Sequence, residues 1–384
     1  MGPAAKPPSR TMQSTARDTI DHLACTIGPR PAGSPAEWEA AVWVTARFNG
    51  LGLETRLHEF RCPSAFAPTY LVLLSANLVA AGLCWAEPLA ALIVSLLVLA
   101  GFALETLGCA AVARLMPRVT SGNAVGRIAA TEGAHRTIVI TAHLDSAFAG
   151  LAFRPGLVRL FRPFFLGVVA VTMGCPLMAL LVLCGIDAVV WATVPVGLVL
   201  LWGIVLMAHQ AVIAQPTCGA GDNAAGVAAL LLLAERLRPF ATTDVLLVAT
   251  GAEEAGLFGM IELLRSGRFD RDTTYFLNID NVGAGPLRII EREGILAPLR
   301  ADTTMVDIAS SVASDLGMEV RRDTYRALPV ESAVALMRHY RALSLVGTLD
   351  HWHQVTDTAE HVDPFVAEQA AAVAEGIVRR LAEA

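Results

Sequence analysis

Six residues offer chemistry by type and position: His143, Asp222, Glu253, Glu254, Asp280 and His353. Four segments carry such groups where a strand-like run ends. His143-Leu144-Asp145 follows RTIVITA, Glu253-Glu254 follows DVLLVAT, Asp280 closes TTYFLNID, and His353 lies beyond the run containing Leu345. A fifth, Gly221-Asp222-Asn223, opens a helical stretch. Taken singly, each is what a solvated acidic loop produces by chance; their convergence on one sheet edge is what a metal site requires. Imidazole and carboxylate donors without thiolates suit borderline divalent ions, with zinc favoured for a hydrolase. Two zinc ions carry four positive charges, which Asp222, Glu254, Asp280 and one bound hydroxide would balance. Glu253 is left over as a general base for the attacking water.

The elements that must position these groups read as an α/β domain. Leu53 to Phe60 alternates as a strand should, and Arg136 to Ala142, Asp244 to Thr250, Thr274 to Asp280 and Arg341 to Val346 are strand runs. Helical stretches run from Ala36 to Phe48, Asn223 to Leu237 and Phe365 to Ala382. Strands alternating with helices predict a mostly parallel mixed sheet sandwiched by helices. In such sheets, ligands sit at the carboxyl ends of the strands.

Composition shows that this domain is not the whole of the 384-residue chain. Hydrophobic residues make up 54% and charged ones only 17%, against roughly a quarter charged in ordinary soluble domains. Four apolar runs, 66–86, 88–112, 163–185 and 188–209, approach the roughly 20 residues that cross a bilayer. The short turns Ala86-Glu87-Pro88 and Gly185-Ile186-Asp187 pair them into two transmembrane hairpins. The expected division is a catalytic domain in three pieces, 1–65, 113–162 and 211–384, interrupted by hairpins at 66–112 and 163–210. Two crossings per insertion return all three pieces to one side of the bilayer, as an assembled site demands.

Arg56, Arg61, Arg114, Arg118, Arg154, Arg159 and Arg162 flank the spans on that side, whereas the turns carry Glu87 and Asp187. The positive-inside rule then expects an inner-membrane protein with a cytoplasmic catalytic domain. Seven scattered cysteines without a CxxC pair agree with a reducing compartment. The polar stretch Met1 to Arg30 has no apolar core of a cleaved secretory signal. A net charge of -6 argues against nucleic acid as a partner. Four spans with one internal acid, Glu105, and no repeat symmetry argue against a transporter.

The segments TAHLDS (141–146), GAGDNAAG (219–226), GAEEAGLFG (251–259), NIDNVG (278–283) and WHQVTDT (352–358) resemble the ordered motifs of the two-zinc exopeptidases of clan MH, peptidase family twenty-eight. GPRPAGSP (28–35) is similar to that family's opening. The resemblance implies that His143 and Asp280 hold one zinc, Glu254 and His353 the other, and that Asp222 bridges them. It also implies a cis peptide after Asp222, and an Asp145 carboxylate that receives the His143 imidazole N–H. His353 is preferred over His351 because it stands four residues before Asp357, the family's interval.

Two departures bear on function. The double Asp of the bridging motif is Gly221-Asp222 here, with the ligand position kept. The residue before the last histidine is often Tyr in the aminopeptidases and is Trp352 here, a possible oxyanion or substrate contact through its indole N–H. Trp at this position also occurs in glutaminyl cyclases. The expected activity is that of a zinc aminopeptidase acting on peptides, including hydrophobic or membrane-derived ones. A glutaminyl cyclase and a non-catalytic membrane scaffold are the alternatives, and the oligomeric state is not legible.

Overall fold

The computed structural model describes residues 15–383; the expectation for the polar N-terminal stretch falls partly on 1–14, outside the described residues. The described strands are β1 (Glu54–Pro63), β2 (Arg118–Ile128), β3 (Arg136–His143), β4 (Thr243–Thr250), β5 (Thr274–Asp280), β6 (Arg288–Glu293), β7 (Leu299–Arg300), β8 (Arg321–Tyr325) and β9 (Arg341–Val346). They form a sheet in the order β1-β2-β4-β3-β5-β9-β6-β7, with β8 beside β6. Its centre, β4-β3-β5-β9, is parallel, and antiparallel pairs flank it. The fold is therefore the expected α/β sandwich on a mostly parallel sheet.

The helices are α1 (Ala16–Asp21), α2 (Pro35–Gly50), α3 (Ala67–Leu83), α4 (Pro88–Thr106), α5 (Phe161–Leu183), α6 (Thr193–Val212), α7 (Ala225–Arg236), α8 (Phe258–Ser266), α9 (Thr303–Asp315), α10 (Glu331–Met337) and α11 (Pro364–Glu383). Each sheet face has its own core. On one, α1, α2, α7, α9 and α11 bury aliphatic stripes against Ile138, Ile140, Leu277 and Leu345. On the other, α8 and α10 cover Val139, Val248 and Phe276. In α11 the buried positions Val366, Ala367, Ala370, Ala371, Val373, Ala374, Ile377 and Val378 recur with helical period. Opposite sides of β3 thus feed opposite cores, as the period of two along a strand dictates.

Helices α3 to α6 pack as a four-helix bundle outside this sandwich. The two hairpin tips meet where Trp85 and Trp191 contact edge to face at 4.9 Å and Trp85 Nε1 donates to Thr193 Oγ1 at 2.9 Å. Inside, Asn77 Nδ2 donates to Thr172 Oγ1 at 3.2 Å. Outside, Leu97, Leu198, Leu177 and Met173 are exposed. Three helical segments, Pro88–Thr106, Val158–Leu183 and Asp187–Val212, are long and apolar enough to cross a membrane. The first of the four expected runs is shorter than anticipated: α3 has 17 residues, about 25 Å of helix. Pro68 in its first turn and the turn at Cys84 bound it. Two other boundaries also differ. Helix α4 ends at Thr106 because 107–112 turns through Gly108 and Ala110, both with positive φ. The second hairpin connection includes a 3₁₀ turn, Asp187–Ala192, before α6 begins.

Beneath the sheet edge lies a buried polar chain. Thr141 Oγ1 donates to Asn278 Oδ1 at 3.0 Å, Ser332 contacts Ser344, and Ser332 Oγ donates to Glu293 Oε1 at 2.5 Å. Glu293 Oε2 has no hydrogen-bond partner among the described residues. Burial pushes this carboxyl from 4.5 up to about 8, against the opposing effect of the Ser332 hydrogen bond. The folded protein therefore holds this proton where the unfolded chain has released it. The stabilisation is fully present below pH 4.5 and lost as pH rises through about 8. Glu293→Gln should accordingly gain on the native protein over that interval in urea melts at a series of pH values. Stability curves that stay parallel would refute the assignment.

Candidate metal centre

The parallel strands deliver their last residues to one edge: His143 ends β3, Asp280 ends β5, and Glu253 and Glu254 follow β4. Asp222 and Asn223 sit between a glycine turn and α7, joined by a cis peptide bond. Asn223 pins this corner, accepting from Gly226 N at 3.0 Å and donating to Ile279 O at 2.9 Å. His353 reaches the same place from the loop after β9, with a φ of 52°.

Asp222 lies between the two histidines. Its Oδ1 is 2.9 Å from His143 Nε2, and its Oδ2 is 3.3 Å from His353 Nε2. Asp280 Oδ1 approaches His143 Nε2 at 3.5 Å, and Glu254 Oε1 approaches His353 Nε2 at 3.2 Å. Two sets of potential ligands result, His143-Asp222-Asp280 and Asp222-Glu254-His353, each with ligand atoms within 4.8 Å of one another. They share Asp222. A third such set, His143-Glu253-Glu254, brings Glu253 to the same spot. His351 stays outside, stacked on His361 at 4.3 Å with Nδ1 against Thr356 Oγ1.

The electrostatics are those of a cation site. Burial alone would lower the His143 imidazole, but the Glu253 charge and hydrogen bonds to Asp145, Asp222 and Asp280 push it well up. His353 is pushed up to about 10, with burial again outweighed by Glu254 and Asp222. Burial would raise Asp222, yet its two histidines hold it below the usual carboxylate range. Glu253 and Glu254 are raised first by burial, against the opposing effect of the histidines, with Glu254, Asp280 and Asp145 adding to the rise of Glu253 and Asp222 to that of Glu254. Among the described residues Asp222 Oδ2 and Glu254 Oε1 find no well-formed hydrogen-bond donor, facing only His353 Nε2 at 3.3 and 3.2 Å. Acids this crowded and orphaned need positive charge, and zinc fits a donor set of imidazoles and carboxylates.

Several residues act on this cluster by holding its backbone. Asp145 Oδ1 and Oδ2 accept from Glu253 N at 3.0 Å and Glu254 N at 2.9 Å. The His143 Nδ1 partner is the Asp145 main-chain oxygen at 3.0 Å, while the carboxylate is 3.6 Å away. The imidazole Nδ1 thus faces the Asp145 main chain and, less closely, its carboxylate, which also clamps the Glu253-Glu254 turn. Asp357 accepts from Gly221 N at 2.6 Å and Asp222 N at 3.2 Å; burial and the Asp222 charge push it up to about 6. Glu37 Oε1 accepts from Ala252 N and Ser121 Oγ, both at 2.8 Å, and burial beside Asp145 pushes it up to about 8.

Arg30, within GPRPAGSP, is fully buried and donates to five main-chain carbonyls, those of Leu23, Gly28, Leu144, Cys218 and Gly219. It ties the end of β3 to the loop before Asp222. Burial lowers it to about 10, where it remains charged at neutral pH. Sequence reasoning singled out its motif but gave Arg30 no task; an arginine between two prolines was the available signal.

Trp352 is buried against Phe153 at 5.1 Å and packs in a cluster with Leu206 of α6. Its observed contacts are apolar packing between His353 and the second hairpin. Tyr325, at the end of β8, was not singled out from sequence. It lines the cavity over the metal-ligand cluster, and its hydroxyl makes no hydrogen bond to a described residue. Burial and the charges of Asp280, Asp222 and Glu253 push this phenol well up, so it is a neutral donor.

Sheet order, strand-end ligands and a shared aspartate together define the class: an α/β protein with the fold of zinc aminopeptidases. Residues 201–378 match the family model described as Peptidase family M28. That stretch contains Asp222, Glu253, Glu254, Asp280 and His353, and His143 and Asp145 precede it. Among solved structures, a zinc aminopeptidase from Bacillus subtilis is similar with a TM-score of 0.57 and 14% identity, covering 95% of this chain and 94% of that one. An aminopeptidase from Aneurinibacillus sp. strain AM-1 gives 0.56 and 14%, over 95% and 92%. A Zn-dependent exopeptidase from Parabacteroides distasonis gives 0.56 and 14%, over 95% and 96%. No curated protein matches the sequence. The family match, on this fold, indicates a zinc metallopeptidase.

Arg30 generates a prediction that separates scaffold from ligand. Replacement by Met leaves the Gly28, Leu144 and Cys218 carbonyls without a donor, those of Leu23 and Gly219 keeping Gly28 N and Ala224 N, at about 1–3 kcal/mol for each group left unsatisfied. Arg30→Met should lose several degrees of melting temperature and bind zinc more weakly, although Arg30 touches no ligand side chain. Wild-type zinc affinity by competition with a chromogenic chelator would refute this role.

Proposed function

We propose that the protein is a membrane-anchored di-zinc aminopeptidase, with His143 and Asp280 on one ion, Glu254 and His353 on the other, and Asp222 between them. The observation that carries this reading is the pair of ligand sets sharing Asp222, whose two oxygens face different histidines. Bound there, zinc supplies Lewis acidity and lowers the pKa of water toward about 7. Glu253, raised by burial and its acidic neighbours, accepts the proton of the attacking water and passes it to the leaving nitrogen. The amide C–N bond breaks, leaving a carboxylate and an amine. Tyr325 donates to the developing oxyanion, since its hydroxyl is neutral and unengaged. Asp145 and Glu37 hold the turn that presents Glu253.

The choice of the amino over the carboxyl end rests on charge. Among the described residues lining the cavity over the cluster there is no Lys or Arg to receive a terminal carboxylate, whereas the acids of the cluster suit an ammonium group. A glutaminyl cyclase of the same fold would release ammonia from an N-terminal glutamine without chain cleavage, and one product assay reads both reactions.

Peptide hydrolysis by the purified chain should disappear on chelation and return with zinc. Glu253→Gln should lower kcat by about 10²–10⁴-fold while zinc content stays at the wild-type level, and Tyr325→Phe by about 10²–10³-fold. Activity indifferent to chelator and to Glu253→Gln would sink the reading.

Arginines at the domain ends of the spans and acids in the turns favour a cytoplasmic catalytic side. Cys25 on the domain and Cys184 beside the second hairpin turn are both exposed. In single-cysteine variants an impermeant maleimide should label Cys184 on intact cells and Cys25 only after permeabilisation. The reverse pattern would invert the topology.

A further inference from the structure

The cavity over the metal-ligand cluster has a volume of about 510 Å³, in the range of about 300–1,000 Å³ that houses small-molecule ligands. Only one end of it belongs to the sandwich domain. The far end is walled by the inserted helices: Leu74 of α3, Phe102 of α4, Phe165 and Val168 of α5, and Gly203 and Leu206 of α6. The helices that face the bilayer on their outer sides therefore build the distal half of the space in which the scissile bond must lie.

The wall chemistry selects the occupant. An extended peptide running into this part would bring one N–H and one C=O per residue, each costing about 1–3 kcal/mol if left unpaired. The helices offer only the side chains of Thr69, Tyr70 and Trp202 as partners there, since the Glu105 carboxylate, which lines the cavity, is already engaged by Val112 N and Ala113 N and Thr106 Oγ1 donates to Phe102 O. An alkyl chain brings no such groups and gains from burial. Access is lateral. Leu160 and Trp202 both line the cavity and are 58% and 43% exposed. The cavity thus reaches the face that lipid would cover.

Building on the aminopeptidase reading, we propose that the substrates are membrane-resident amides whose N-terminal residue carries a long alkyl chain, which lies between the inserted helices while the scissile carbonyl sits at the metal centre. The second hairpin, through the Trp352-Phe153-Leu206 cluster beside His353, is then part of the substrate site as well as an anchor.

The full chain in detergent would be given aminoacyl anilides with straight side chains of one to twelve carbons. The expected result is a rise in kcat/KM of up to about fourfold per methylene, levelling where the cavity is full. At Gly203 an added Cβ would already stand 3.0 Å from Leu74 Cδ1 and 3.5 Å from Phe164 Cζ, so Gly203→Phe must displace the distal wall or fill the lumen. It should abolish the gain beyond short chains, read as the ratio of long-chain to alanine anilide hydrolysis within the same variant. Phe165→Ala, a truncation that keeps the bundle's apolar character, should move the plateau to longer chains and decides the matter if Gly203→Phe does not fold. Comparing variants at each length cancels partition of the substrates into micelles.

Cleavage of short substrates with no gain beyond about four side-chain carbons, or a gain that neither variant alters, would overturn the proposal and leave the cavity as a site for structural lipid only. If no anilide is cleaved, the aminopeptidase reading fails instead, and binding of n-alkyl hydroxamic acids to the zinc-loaded protein, followed by calorimetry, decides the cavity. Affinity rising with chain length and blunted in Gly203→Phe sustains the alkyl site; affinity independent of length removes it.

Discussion

Everything in this structure answers to one electrostatic constraint: Asp222 and Asp280, buried, and Glu253 and Glu254, partly buried, lie within a few ångströms of one another. Four carboxyls so placed repel one another and lack water to disperse their charge, so the arrangement persists only with cations among them and a frame that cannot relax. The parallel strands supply the convergence, since β3, β4 and β5 run the same way and end on the same edge. The frame is supplied by backbone clamps. Asp145 and Glu37 hold the turn after β4, Asp357 holds the amides before and at Asp222, and Arg30 ties the β3 end to the Cys218-Gly219 loop.

The four-helix bundle does not disturb this frame because both hairpins enter at loops, one after β1 and one after the β3 loop. A helix pair starts and finishes near one point, so the sandwich closes as though the insertion were a long surface loop. The contacts between bundle and domain are nevertheless specific. Phe153, ahead of α5, touches the rings of both Trp352 and His353. A metal-ligand histidine candidate is therefore packed against the segment that leads into a helix long and apolar enough to span a membrane, which couples bundle position to ligand position through apolar contact alone.

Where sequence patterns were weak, the reason is visible in particular strands. β2 contains Ser121-Gly122-Asn123, and its buried positions face Trp38, Glu37 and Gly259 rather than a purely aliphatic layer. β6 and β8, RIIERE and RRDTY, carry charges because they lie toward one border of the sheet. Neither resembles a buried strand until its neighbours are in place. The central strands β3, β4, β5 and β9 are sealed on both faces, and so wrote themselves as apolar runs.

Taken alone, the sequence determined the α/β class, the two apolar hairpins, and the histidines and acids at strand ends, because strand period, hydropathy and ligand chemistry are local properties. It determined the types of the clustered residues and, through the resemblance, the preference for His353 over His351. Tertiary structure decided which backbone groups the polar residues serve. Arg30 meets Leu144 and Cys218 across 114 and 188 residues of chain, and no local pattern records such a pairing. It likewise decided that Asp145 clamps a turn, that Tyr325 reaches the cavity from an edge strand, and that the hairpins wall that cavity. Those outcomes depend on how distant segments pack, and packing is a property of the whole chain.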